Sequence, residues 1–157
     1  MADMRNFSSV RGGEPSTYLV FEGGFPTEGG WLGDEPDPGN PPGRDAIAFL
    51  LRAVDPTLPE SEIWNEEGYG WSFNCRVGEI TVNVLIQFTE HWLVIVQEVS
   101  LRPRFLRSPA YAEAVREVCA RIERAVSEHP DISRRAWLTR SAYESLGPTA
   151  DPFFTNA

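Results

Sequence analysis

The chain has 157 residues and a mass of 17.6 kDa, the size of one compact domain, so two full domains are not expected. Hydrophobic residues at 41% and charged residues at 24% match ordinary globular usage, which excludes wholesale disorder and a collagen-like repeat. The net charge of −9 comes from 14 basic residues, all arginine, against 23 acidic ones; such a surface disfavours nucleic acid and anionic lipid and attracts basic partners.

Residues 1–43 hold nine of the 13 glycines and six of the 13 prolines. This composition predicts an irregular, acidic N-terminal arm, with Tyr18-Leu19-Val20-Phe21 as a possible edge strand. From Asp45 the pattern becomes helical: Ile47, Leu50, Leu51 and Val54 recur at i, i+3, i+4 and i+7, and Asp55-Pro56 ends the run. Glu60, Glu62, Glu66 and Glu67 surround Ile63 and Trp64 in a stretch that reads as an acidic loop or a single helical turn.

Between Trp71 and Val99 three β-type runs are separated by Gly78-Glu79 and by Thr89-Glu90-His91, the pattern of a three-stranded meander. Gly-X suits a type II′ two-residue hairpin, so paired residue numbers in the first hairpin should sum to 157; a three-residue second loop gives sums of 180. These registers place Trp71, Phe73, Cys75, Val77, Ile80, Val82, Val84, Ile86, Phe88, Trp92, Val94, Val96 and Glu98 on one face, which is the predicted core. The other face is mixed. It aligns Asn74, Asn83 and Gln97 in one cross-strand row beside Leu85, Leu93, Ile95 and Val99.

Ser108-Pro109 opens a second helix as N-cap and N1, with Tyr111, Val115, Val118, Ile122 and Val126 at helical spacing up to Pro130. A third helix is expected from Asp131 or Ser133 to Leu146, stopped by Gly147-Pro148. The resulting fold class is α+β: a two-layer sandwich of a three- or four-stranded antiparallel meander with two or three helices packed on one face. Residues 44–148 form the single domain, and 149–157 a C-terminal tail.

The glycine pairs of the arm are not followed by a Lys-Ser/Thr, Cys75 and Cys119 lack metal-ligand spacing, and neither His91 nor His129 has an orienting partner in the pattern. No catalytic residue, metal or cofactor is therefore assigned, and the cysteines read as buried free thiols. Glu98 stands out because it falls on the core face, where a carboxylate needs either a rim position or an arginine such as Arg102, Arg104 or Arg107. Trp31 and Trp64 lie in acidic, Gly/Pro-flanked segments, where an aromatic side chain either anchors a partner or docks the arm on its own body.

A cytoplasmic, non-enzymatic protein-binding or adaptor module is expected, acting through its acidic surface and the second sheet face: Asn74, Asn83, Leu85, Leu93, Ile95 and Gln97, with Glu98, Arg102, Arg104 and Arg107 at the margin. The partner would be a protein, basic in character, or a second copy, and not nucleic acid or membrane. The alternative is a small enzyme or ligand-binding domain with a pocket between sheet and helices near Glu98.

Overall fold

In the computed structural model, residues 13–100, 102, 108–148 and 150–154 are described. The predicted meander is the middle of a larger, wholly antiparallel sheet of six strands. Its members are β1 (Ser16–Gly23), β4 (Trp64–Glu66), β5 (Gly70–Val77), β6 (Ile80–Phe88), β7 (Trp92–Glu98) and β8 (Ile132–Thr139), in the spatial order β4-β5-β6-β7-β1-β8. A small separate hairpin is formed by β2 (Trp31–Leu32) and β3 (Glu35–Pro36). The helices are α1 (Arg44–Val54), α2 (Pro109–Glu128) and the short α3 (Arg140–Glu144), with single 3-10 turns at Glu60–Glu62 and Pro152–Phe154.

Both hairpin registers follow from the turn chemistry. Val77 faces Ile80 and Cys75 faces Val82, while Phe88 faces Trp92 and Val84 faces Val96. Gly78 takes φ +61° and Glu79 does not share the positive φ, as a type II′ turn requires. Phe73, Val82, Val84, Ile86, Trp92, Val94 and Val96 are consequently buried together beneath α1 and α2, which contribute Ile47, Leu50, Leu51, Val54, Val118 and Ile122. The two helices are also joined by Arg121, whose guanidinium donates to the Val54 carbonyl at 2.8 Å, where α1 has run out of its own donors. Ser108 and Pro109 occupy the expected N-cap and N1 positions of α2, but the Ser108 side chain makes no capping bond.

Three expectations are corrected. The strand around Tyr18–Phe21 is no edge: β1 lies between β7 and β8, paired on both sides. Leu19, Val20 and Phe21 are all fully buried, and an unbroken apolar run, in place of an alternating one, is what a strand covered on both faces carries. The third helix is mostly a strand. β8 pairs with β1 over more than a hundred residues of sequence separation, and this non-local ladder overrides local propensity for all but Arg140–Glu144. There Thr139 caps the short helix, its Oγ1 accepting from the Ala142 N–H at 3.0 Å. Finally, the acidic stretch after α1 does hold a single helical turn, the 3-10 turn at Glu60–Glu62, but it is not otherwise loop: Trp64–Glu66 form the strand β4.

The sheet therefore has helices on both faces, unevenly. α1 and α2 pack on the first. On the second, a smaller cluster of Val20, Leu93 and Leu138 is roofed by α3 and the C-terminal turn through Ala142, Tyr143, Leu146 and Phe153.

Candidate functional site

On the second face the pairings run without interruption from edge to edge. Trp64, Ser72, Leu85, Ile95, Tyr18 and Leu138 form one row across all six strands. Asn74, Asn83 and Gln97 form the next row. The predicted amide series is thus brought together, and it is bonded in sequence. Gln97 Nε2 donates to Asn83 Oδ1 at 3.3 Å, and Asn83 Nδ2 donates to Asn74 Oδ1 at 3.0 Å, with longer contacts to the Phe73 carbonyl and Ser72 Oγ. Asn83 is buried, which is tolerable because its amide is partnered on both sides. Asn74 and Gln97 are exposed. The Asn74 amide N–H groups and the Gln97 carbonyl make no hydrogen bond among the described residues, so the chain of amides ends in one donor and one acceptor facing outward from the series.

The apolar neighbours behave differently from one another. Leu93 is buried in the cluster under α3, Ile95 is half-buried beside it, and Leu85 is only 8% exposed; Val99, at 49%, is the one that stays open. The roof of α3 and the C-terminal turn accounts for Leu93 and Ile95. The sheet face therefore offers amides, not a broad apolar patch.

Glu98 is the last residue of β7, half-buried, in a row with Val82 and Cys75 on the opposite face from the amides. It sits at the rim position that the strand's end provides. Arg102 is exposed, and its N–H donates to Ser100 Oγ at 3.1 Å, while Arg104 and Arg107 lie outside the described residues. The thiols beneath this edge are poor nucleophiles: burial pushes Cys75 up to about 11 and Cys119 up to about 12, and both are free cysteines. Of the histidines, His129 packs its ring against both Phe25 and Phe49, with ring centroids 5.1 and 5.3 Å away. His91 is half-buried against Tyr143, and burial lowers its pKa against the opposing pull of Glu90, Glu22 and Asp151. Among the described residues no cluster of three metal-ligating side chains occurs, and no helix is long and apolar enough to cross a membrane.

Comparison with protein-family models, with curated proteins and with solved structures found no match to this chain.

The charges divide sharply along the chain. In the C-terminal part, arginines meet the protein's own carboxylates: Arg121 with Glu117, Arg134 with Glu22 and Asp151, Arg135 with Glu123, and Arg140 with Glu144. Residues 28–67 instead carry ten carboxylates against Arg44 and Arg52, and both of those arginines are turned toward Glu60. Glu28, Asp34, Glu35 and Glu67 form no ion pair among the described residues. The uncompensated part of the charge is therefore concentrated on the loops before and after α1.

Proposed function

We propose that this chain is a non-enzymatic protein-binding module whose acidic surface and second sheet face together receive a partner protein or a second copy of itself. The observation that carries the reading is the bonded series Gln97–Asn83–Asn74, with its two ends on exposed residues. Side-chain amides held in a rigid row present donors and acceptors at fixed spacing, and their partners are supplied at low cost because the row is already ordered. They suit the peptide groups and polar side chains of another protein surface. The net charge of −9 supports the same reading, since it favours fast, salt-sensitive capture of a basic surface.

The test is quantitative co-purification with the full chain and with the double variant Asn74→Ala/Gln97→Ala, each at low and high salt. Recovery of a specific protein should fall at least about tenfold in the double variant and again on raising the salt. Equal recovery by both chains, or a chain that recovers nothing and sediments as a monomer at high concentration, sinks the reading.

A further inference from the structure

The large apolar side chains left in water are not scattered. Trp31 (59% exposed), Leu32 (63%) and Tyr69 (51%) belong to two neighbouring turns, whereas Trp64 (37%) opens β4 with its Nε1 donating to Glu66 Oε1 at 2.6 Å, and Val99 follows β7; these are the exposed large apolar side chains among the described residues. The first turn is the β2–β3 hairpin, which carries Trp31 and Leu32. The second is the β4–β5 turn, where Glu67 is held at φ +48°, followed by Gly68 at +86° and Tyr69.

The two turns are fastened to each other. Asn65 Nδ2 donates to the Pro38 carbonyl at 2.8 Å, and its Oδ1 accepts from the Gly68 N–H at 2.7 Å. The hairpin loop is closed on itself by Gly30 N–H to the Asn40 carbonyl and Asp37 N–H to the Gly30 carbonyl, both 2.8 Å. A Cβ at Gly29 would run into the Asn40 carbonyl oxygen and come within 2.9 Å of the Pro41 carbonyl carbon and the Pro42 nitrogen, all backbone, so a side chain there would force the loop apart. Trp71 Nε1 then ties the loop to the sheet through the Pro41 carbonyl at 2.9 Å. Between the turns lies an open cleft of about 340 Å³, walled by Trp31, Pro36, Pro38, Pro41, Pro42 and Gly68.

Two carboxylates line this apolar cleft, Glu28 and Asp37, and neither forms an ion pair with an arginine among the described residues; Asp34 and Glu35 on the hairpin and Glu67 beside Gly68 add further unpaired charge to the same two turns. Folding alone gives no reason to leave a tryptophan, a leucine and a tyrosine together in water on two neighbouring turns, and solvated monomers seldom group them so. An indole and proline rings flanked by unpaired carboxylates complement a guanidinium: its flat face stacks on the aromatic ring while its N–H groups meet the carboxylates.

We infer that the cleft between the β2–β3 hairpin and the β4–β5 turn is a docking site for an extended, arginine-bearing segment of a partner protein, with Trp31 as the aromatic anchor. The occupant carries apolar residues beside its arginines, because Leu32 and Tyr69 offer further apolar contact and a purely cationic segment would leave them in water. The site is preformed, so binding orders only the incoming segment. It is separate from the amide row and does not depend on it.

The experiment titrates the full chain with a fluorescein-labelled peptide of repeating Arg-Leu-Gly, following anisotropy and tryptophan emission. Its glutamate counterpart, repeating Glu-Leu-Gly, is run alongside. The arginine peptide should bind saturably and weaken at least about tenfold between about 50 and about 300 mM salt. Trp31→Ala, which leaves every charge in place, should weaken it by about tenfold or more, and Leu32→Ser should weaken it less. Asn74→Ala/Gln97→Ala should bind as the unaltered chain does, which separates this site from the sheet face. Binding that Trp31→Ala leaves unchanged means charge attraction alone and overturns the assignment. So does equal binding of the glutamate peptide, absence of binding, or a dimer in sedimentation that Trp31→Ala dissolves.

Discussion

The two faces of one sheet are used in opposite ways. The first is sealed by twenty residues of α2 and eleven of α1, and its strand residues from Phe73 to Val96 are almost wholly removed from water. The second is roofed only over β7, β1 and β8, by the five residues of α3 and the C-terminal turn, and toward β5 it gives way to a bonded row of amides. The difference teaches where stability and recognition reside. A face covered by two long amphipathic helices supplies most of the apolar burial, at roughly 1.5–3 kcal/mol per large side chain, which leaves the other face free to carry polar groups that contribute little to folding.

Truncation should expose that asymmetry most strongly at the first face. Phe73→Ala, at a fully buried site between the meander and the helices, should cost about 3–5 kcal/mol in chemical denaturation. Leu138→Ala, under the thinner roof of α3, should cost about 2 kcal/mol, because the surrounding short helix and C-terminal turn can settle into the space. Equal losses at the two positions would break the comparison and give the second face a core of its own.

The smallest effect concerns pH at the margin of the thinner roof. His91 lies half-buried against Tyr143, with Glu90, Glu22 and Asp151 as the charges around it. Burial is the leading cause of its lowered pKa, so the folded chain binds fewer protons there than the unfolded chain. Its contribution is whole above the ordinary value of 6.5 and declines as pH falls through it. Denaturation of the unaltered chain and His91→Gln, compared from about pH 8 to about pH 5, should show a shallow acid-side loss only with histidine present. A constant difference across that range would show that the roof at Tyr143 does not keep water from the ring.

Much of this is legible in the sequence. The turn chemistry of Gly78-Glu79 and the three-residue loop at 89–91 gave both registers, and with them the burial of Phe73 to Val96 and the alignment of Asn74, Asn83 and Gln97. Helices α1 and α2 showed themselves by apolar spacing. β1 and β8 did not, because each owes its place to a partner far off in the chain. The apolar run of β1 is ambiguous until both its neighbours are present, and the Ser133-Arg134-Arg135 stretch of β8 hides the alternation that Ala136 and Leu138 follow. The aromatic cleft is half visible: Trp31 stands out in acidic, glycine-rich surroundings, as does Trp64, which the fold places in β4 instead, whereas Leu32 and Tyr69 carry no local sign that they stay in water.

By itself, then, the sequence determined what neighbours along the chain can settle: two helices, two hairpin registers, the identity of the core face and an excess of negative charge. Only the tertiary structure decided which strands flank the meander, that α3 covers half of the second face, and that two separate turns close around one proline-lined cleft. Periodicity and turn propensity act over a few residues and leave their mark locally. Ladder partners, roofs and clefts depend on contacts between distant segments, whose closure depends on the burial that the whole fold provides.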